Sequence, residues 1–349
     1  MVGETTKQRP PLLPDRRTVS DFFVCDILDA APKGDMASME HPVFSISTKP
    51  DKRIREYKSS DGSKFIEITP SVKGLATVHD RDVLIFCISQ TMAALNEGKP
   101  ISQNVRFKAY DLLVATNRPT GGESYHRLKE ALERLRGTTI STNITTGGKE
   151  QTKIFGLVES AEIVRETRDG RMQEVEIKLA DWVFNAIEAR EVLTLHRDYF
   201  RLRKPLERRL YEIARKHCGR SPDWRISLNK LKKKCGSAST DKEFKRVVSR
   251  IAEEDERHHH FPDYSVHLDG DMIIFRARGT VPQPQETLFE GHLDPEAYHD
   301  ARTAAPGWDV HYLEREWRKW LGENEIEPKH PARHFVKFCQ TWHEKRGAP

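Results

Sequence analysis

TDKEFKRVVSRIAEED occupies residues 240–255, and two short alternating runs, YSVHL (264–268) and MIIFRAR (272–278), follow it. At 100° per residue, Phe244, Val247, Val248 and Ile251 gather on one side of a helix, while Lys242, Lys245, Arg246, Ser249 and Arg250 spread over the other. Thr240 with Glu243 three positions later reads as a capping box and places the helix start. Asp269-Gly270-Asp271 between the alternating runs predicts a hairpin. KPLERRLYEIARKHCG (204–219) and SLNKLKKKCG (227–236) supply two helices ahead of it. Helices followed by a hairpin in this order predict a winged helix-turn-helix, in which the last helix enters a major groove.

The same order stands earlier in the chain. KAYDLLVATN (108–117) and TGGESYHRLKEALERLR (120–136) read as two tightly joined helices, the second opened by a capping box of Thr120 and Glu123. TISTNITT (139–146) and TKIFGLVESAEIV (152–164), separated by Gly147-Gly148-Lys149-Glu150-Gln151, read as the hairpin. The two capping boxes lie 120 residues apart, a repetition of pattern more than of identity. Upstream, VFSIS (43–47), RIREYKS (53–59) and KFIEITPS (64–71), with a turn at Asp61-Gly62, predict antiparallel strands. Residues His79 to Asn96 predict a long helix stopped by Gly98 and Pro100.

The expected fold class is α+β: two tandem winged helix-turn-helix domains with a flexible N-terminal arm and a small helical C-terminal tail. The arm takes residues 1–40, the first domain 41–180, the second 181–280, a linker 281–294 and the tail 295–349. In the tail, Leu313, Trp317, Trp320 and Leu321 share one helical face, and Phe335, Phe338, Cys339 and Trp342 share another. Packing on the same protein or docking of another would satisfy either face.

The net charge is only +5, but residues 201–260 hold 18 Lys and Arg against 9 Asp and Glu, leaving −4 for the rest. A basic block on a weakly acidic body is the footprint of a polyanion binder, because phosphate neutralisation releases counterions. In the second domain Lys242, Lys245, Arg246, Ser249 and Arg250 are the expected readers of base edges. Lys230, Lys232, Lys233 and Lys234 are expected to contact phosphates, since lysine lacks arginine's bidentate fork. In the first domain Tyr125, Leu128, Leu132 and Leu135 face a core, leaving Glu123, His126, Arg127, Glu130 and Arg134 outward. Mixed signs suit base readout and solvated ion pairs equally. Lys149 and Lys153 around the Gly147-Gly148 turn are candidates for backbone or minor-groove contact.

Other chemistries find little support. Cys25, Cys87, Cys218, Cys235 and Cys339 form no C-x-x-C pair and read as reduced thiols. Cys218, Cys235 and His258 to His260 fit no common zinc spacing, so no metal and no cofactor are expected. A metal-dependent rolling-circle nicking enzyme would need alternating histidines on a strand. His258-His259-His260 instead lie between a charged helix end and Phe261-Pro262. No G-x-x-x-x-G-K-[ST] loop marks an ATPase. The apolar runs fall short of the ~20 residues that span a bilayer, and MVGETTKQRPPLLPDRR lacks a signal peptide's apolar core, so a cytoplasmic protein without membrane contact is expected.

DFFVCDILDAAPKGDMASMEHPVFSIS (21–47), YDLLVATNRPTGGESYHRLKEALERLRGTTISTNI (110–144) and KPLERRLYEIARKHCG (204–219) resemble the RepA-type plasmid replication initiator family over about residues 20 to 280. The resemblance implies a non-enzymatic initiator with tandem winged helices. Such a protein would bind directly repeated origin sites on double-stranded DNA, help melt the adjacent duplex and recruit the host initiator and replicative helicase. It also implies a homodimer, formed through the first domain, that represses its own gene. The residues alone suit a winged-helix transcriptional repressor equally well.

Overall fold

The computed structural model describes residues 10–16, 24–26, 42–58, 65–146, 149–165, 172–188, 192–218, 221–279, 293, 295–323, 328 and 330–347. The chain divides into two compact units, Met1–Pro282 and Gln283–Pro349. The larger begins with β1 (Cys25–Asp26), β2 (Arg55–Lys58), β3 (Phe65–Thr69), α1 (Arg81–Asn96), β4 (Asn104–Lys108), α2 (Ala109–Ala115) and α3 (Gly122–Gly137). It continues through β5 (Thr139–Thr146), β6 (Lys149–Gly156), β7 (Val158–Arg165), β8 (Met172–Leu179), α4 (Asp181–Glu188) and β9 (Leu193–Thr194). A 3-10 turn (Arg197–Arg201), α5 (Pro205–His217), β10 (Asp223–Ser227), α6 (Leu228–Cys235), α7 (Asp241–His258), β11 (Tyr264–Asp269) and β12 (Met272–Ala277) complete it. Helix and sheet are mixed throughout, as the α+β reading expects.

One motif occurs twice. β4-α2-α3-β7-β8 closes into an antiparallel sheet of order β4-β8-β7, and β10-α6-α7-β11-β12 closes into one of order β10-β12-β11. In each, a strand runs directly into the first helix. At this junction Phe107 and Ala109 in the first hold the positions of Ile226 and Leu228 in the second, and all four are buried. The opening strands β4 and β10 had no counterpart in the sequence reading, because NVRFK and DWRIS are short and carry few apolar residues.

The first hairpin is not where the sequence placed it. TISTNITT does pair with Lys149–Gly156, but this β5–β6 hairpin joins β3 and β2 in a separate sheet of order β2-β3-β5-β6. The hairpin equivalent to β11–β12 is β7–β8. The run TKIFGLVESAEIV breaks at Leu157 and Val158, which are fully buried and turn the chain from one sheet to the other. Ile140 on β5 lies opposite Ile68 on β3, and burial of each is worth about 1.5–3 kcal/mol. Period-2 alternation sets which side chains face inward but not which strand is the partner. VFSIS forms no strand; Ser45 makes a single parallel bridge to Thr77. Asp61-Gly62 and Gly147-Gly148 lie outside the described residues.

The helix ends show why these segments stop where they do. Thr240 Oγ1 accepts the Glu243 N–H at 3.2 Å, so the predicted cap on α7 exists, whereas α3 starts one residue later than expected with Gly121 at its cap. Ser227 caps α6, and Gly236 ends it in the left-handed region at φ +63°. A Cβ at Gly236 would lie 2.3 Å from Pro42 Cγ and 3.0 Å from Arg55 Nη1, so this glycine lets α6 approach the chain leading to β2. Leu12, Leu13 and Pro14, read as part of the arm, run along the 3-10 turn: Leu12 bridges Leu202, and Pro14 O accepts from Asn117 Nδ2 at 3.1 Å.

α1 sits between two cores. Val83, Leu84, Phe86 and Cys87 belong to the core of the first motif, while Ile85 belongs to the second core with Leu210 and Tyr211 of α5 and Phe200 of the 3-10 turn. Its N-terminus carries a knot of buried charges. Arg208 of α5 donates to Asp82 Oδ1 at 2.6 Å and Arg118, in the α2–α3 turn, donates to Asp82 Oδ2 at 2.9 Å. Arg81 donates to Glu212 Oε2 at 2.9 Å, where Arg209 also donates at 3.1 Å, and Tyr199 Oη donates to Oε1 at 2.7 Å. Burial opposes ionisation of Asp82, but the charges of Arg208 and Arg118 outweigh it and hold the carboxyl below its usual range. Burial, helped by the Arg208 charge, lowers the His79 imidazole from its ordinary 6.5 to about 4.

The smaller unit comprises α8 (Pro295–Ala304), α9 (Val310–Glu323) and α10 (Pro331–Arg346) around Leu313, Trp317, Phe335 and Cys339. The two predicted faces pack on each other and on α8, whose Tyr298 and Ala301 are buried. Trp317 Nε1 donates to His334 Nδ1 at 2.9 Å, and Trp320 stands at the rim, stacked on His334. Burial pushes the Cys339 thiol up to about 12.

Gly236→Ala is expected to lower the urea unfolding free energy by about 2 kcal/mol, from backbone strain plus the Pro42 clash. Gly270→Ala, also at positive φ but facing open space, should cost about 1 kcal/mol. Equal costs would deny the close approach. Arg208→Met should cost about 3–5 kcal/mol by leaving the buried Asp82 with Arg118 as its remaining guanidinium partner, with much of the loss recovered in Arg208→Met with Asp82→Asn. The His79 imidazole resists a proton that the unfolded chain accepts, so stability should fall as pH drops from 6.5 toward 4, and His79→Gln should flatten that slope.

Candidate nucleic-acid interface

On α7, Phe244, Val248 and Ile251 are buried, and Lys242, Lys245, Arg246 and Arg250 are exposed, which is the face drawn from the sequence. Ser249 is half-buried, and its hydroxyl donates to the Lys245 carbonyl at 2.8 Å. A serine hydroxyl returned to its own helix offers less to a base edge than the wheel suggested. Val247 lies half-buried at the edge of the core.

The acids that meet these cations are ones the sequence reading gave to the capping box and to the hairpin turn. Arg246 donates through Nε and Nη2 to both oxygens of Glu243, at 2.8 and 2.6 Å. This turns the Glu243 carboxylate outward instead of back to the helix start. Lys245 Nζ lies 2.7 Å from Asp271 Oδ1, so the tip of the β11–β12 hairpin reaches the exposed face of α7. The backbone explains the reach: Leu228 N–H donates to Asp271 O at 2.8 Å, fixing the tip against the start of α6. On α6, Lys230 and Lys233 are exposed, while Lys232 is half-buried with Nζ 2.6 Å from Asp241 Oδ1. The Lys234 carbonyl accepts from Arg209 at 2.9 and 3.1 Å, tying α6 to α5.

The first motif differs. Glu123 and Arg127 are exposed and paired at 2.9 Å, and His126 is exposed beside them. Glu130 is half-buried, 3.7 Å from Lys73, which also pairs with Glu133. Arg134 does not face outward: it donates through Nε and Nη2 to Asp80 at 2.7 and 2.8 Å. The wheel missed this because Asp80 lies 54 residues away, just ahead of α1. Lys149 and Lys153 belong to β6, in the sheet that includes β2 and β3 and not in the hairpin equivalent to β11–β12.

The residues weighed for metal chemistry are dispersed. Cys218 and Cys235 lie in the second core, where burial raises the Cys218 thiol. His258 and His259 are exposed at the end of α7, and His260 is buried. Glu207, Glu254 and His260 bring ligand atoms within 4.8 Å of one another. The ammonium of Lys204 pairs with Glu207 at 3.0 Å and also with Glu254, so the chain supplies its own cation between the two carboxylates.

Comparison with known proteins fits this picture. The family model described as Replication initiator protein A matches residues 33–266. A "Putative replication protein" of Wigglesworthia glossinidia brevipalpis is 36% identical over 279 residues, covering 78% of this chain and 98% of that protein. The crystal structure of RctB domains 2-3 superposes with a TM-score of 0.50 at 13% identity, covering 68% of this chain and 96% of that one, which is a likeness of fold. Over residues 33–266, which take in α1, the first motif and the second motif as far as the start of β11, the chain belongs to the Replication initiator protein A family.

Proposed function

We propose that the chain is a plasmid replication initiator that binds repeated origin sites on double-stranded DNA through two winged helix-turn-helix domains. Each domain is one of the two motifs of matching strand order, with α3 and α7 as the helices that enter major grooves and β7–β8 and β11–β12 as wings. The observation that carries the reading is the exposed cationic surface of α6 and α7: Lys230, Lys233, Lys242, Lys245, Arg246 and Arg250 all reach solvent on adjoining helices of one motif. That surface suits phosphates and base edges together.

The two domains divide the work. α7 carries most of the affinity, with Lys230 and Lys233 on phosphates and Arg246 and Arg250 on bases. α3 offers Glu123, His126 and Arg127 as readers, while Glu130 and Arg134 hold the helix to the rest of its domain. The β2-β3-β5-β6 sheet, with β6 and its Lys149 and Lys153 at one edge, serves homodimer formation when the protein represses its own gene. At the origin the protein binds, promotes melting and recruits the host initiator and replicative helicase, acting in the cytoplasm and not as a nuclease.

The test starts from selection of bound duplexes out of a random-sequence pool, followed by titration of the selected and a scrambled duplex at several KCl concentrations. The selected duplex should bind at least about 10³-fold tighter. Arg246→Ala should cost about 1–3 kcal/mol on the selected duplex, whereas Lys233→Ala should weaken both duplexes and reduce the salt slope by about one. Equal affinity for the two duplexes would overturn the reading. Nicking of supercoiled origin plasmid with magnesium or manganese, lost in His258→Ala, would overturn its non-enzymatic part.

A further inference from the structure

We infer that Glu243 and Asp271 set the sequence specificity of the α7 face by holding Arg246 and Lys245 and making both less available to phosphate. The inference rests on the proposed DNA-binding function and adds to it a role for two acidic side chains on a surface otherwise read as basic.

The geometry favours base reading over phosphate binding at Arg246. Its guanidinium gives Nε and one Nη2 hydrogen to Glu243. The remaining edge, with hydrogens on Nη1 and Nη2, is still a planar fork of the kind that grips guanine O6 and N7. Glu243 therefore removes one edge of Arg246 and fixes the direction of the other. Both side chains are solvated, 60% and 45% exposed, so the fork is accessible. The hydrogen bond from Arg246 lowers the Glu243 carboxyl below its usual range.

Asp271 acts at the other cation. It stands at the hairpin tip, is 83% exposed, and reaches Lys245. A phosphate approaching Lys245 must displace this carboxylate and meets its charge, with Asp269 on the same turn adding to the repulsion. Exposed pairs of this kind are individually weak, so they do not hold the fold together. They act on the encounter with DNA, where non-specific affinity is set almost wholly by cations free to neutralise phosphate. A wing tip of Asp-Gly-Asp is a poor phosphate contact, and its engagement with Lys245 gives those acids a use.

Glu243→Gln and Asp271→Asn test the inference on the selected and scrambled duplexes, with Asp271→Ser as a second removal of the wing carboxylate. Thermal unfolding midpoints within about 2 °C of wild type establish that each variant is folded. Asp271→Asn should bind scrambled duplex several-fold tighter, with the slope of log K against log salt steeper by about 0.9, and should gain less on the selected duplex. Glu243→Gln should bind scrambled duplex tighter and selected duplex more weakly, so that the ratio of the two affinities falls about tenfold. A ratio of the two affinities within twofold of wild type in every variant, so that any change is by the same factor on both duplexes, overturns the inference while leaving the DNA-binding function intact. A wild-type chain that selects no duplex overturns that function, and the inference with it.

Discussion

Asp82 receives Arg208 from α5 on one oxygen and Arg118 from the α2–α3 turn on the other, inside a protein where each of these charges would be costly alone. The rest of the larger unit is arranged around that carboxylate. Arg81, its neighbour, reaches Glu212, so consecutive residues at the start of α1 carry opposite charges to opposite partners on α5. An apolar α1–α5 contact of the same size would be about as stable. It would not specify one rotation and one register of α5 against α1, and the two cores, which share α1 through Ile85 and its neighbours, depend on that register.

The same helix start controls the first motif. Asp80 holds Arg134 of α3, and Asp82 with the His79 carbonyl holds Arg118 just ahead of α3. Asn117, beside Arg118, is held in turn by Pro14 and Arg16. The candidate reading helix of the first motif is therefore fixed at the turn before it and along its last half. α7 is anchored differently, by Asp255 near its end, which accepts from Phe261 and Val266 N–H and from Arg278. The exposed cations of its first half include Arg246, which pairs with Glu243 of the same helix, and Lys245, which pairs with Asp271 at the hairpin tip. One motif spends charge on internal order and the other presents it to solvent, which is why the expected readers of α7 stayed on the surface and Arg134 of α3 did not.

Local regularities were legible in the sequence. Apolar spacing placed α1, α3, α5, α6 and α7, and Thr240 placed the start of α7. The pattern repeat pointed to two like units, and the basic block at 201–260 pointed to α6 and α7. Long-range partners were not legible. TISTNITT pairs with the strand that follows it, as expected, but its other edge takes β3, some 75 residues earlier, and no feature of the run announces this. Arg134 lies on the polar side of α3 and meets an acid 54 residues upstream. Lys245 meets an acid 26 residues downstream. Glu243 could have been found, because Glu followed by Arg three residues later on a helix is an ion-pair spacing. The family resemblance, confirmed over residues 33–266, carried the replication reading that composition and spacing could not.

In the proposed function the two motifs, held by the α1–α5 charge knot, would meet DNA as one body. The most direct measurement inserts five base pairs, half a helical turn, between the two halves of the footprint on the selected duplex and compares its affinity with that of the parent. Two motifs locked together cannot follow half-sites rotated to opposite faces of the duplex, so affinity should fall at least about tenfold, or 1.4 kcal/mol. Unchanged affinity and an unbroken footprint on both halves would mean that the motifs move independently, and would contradict the account.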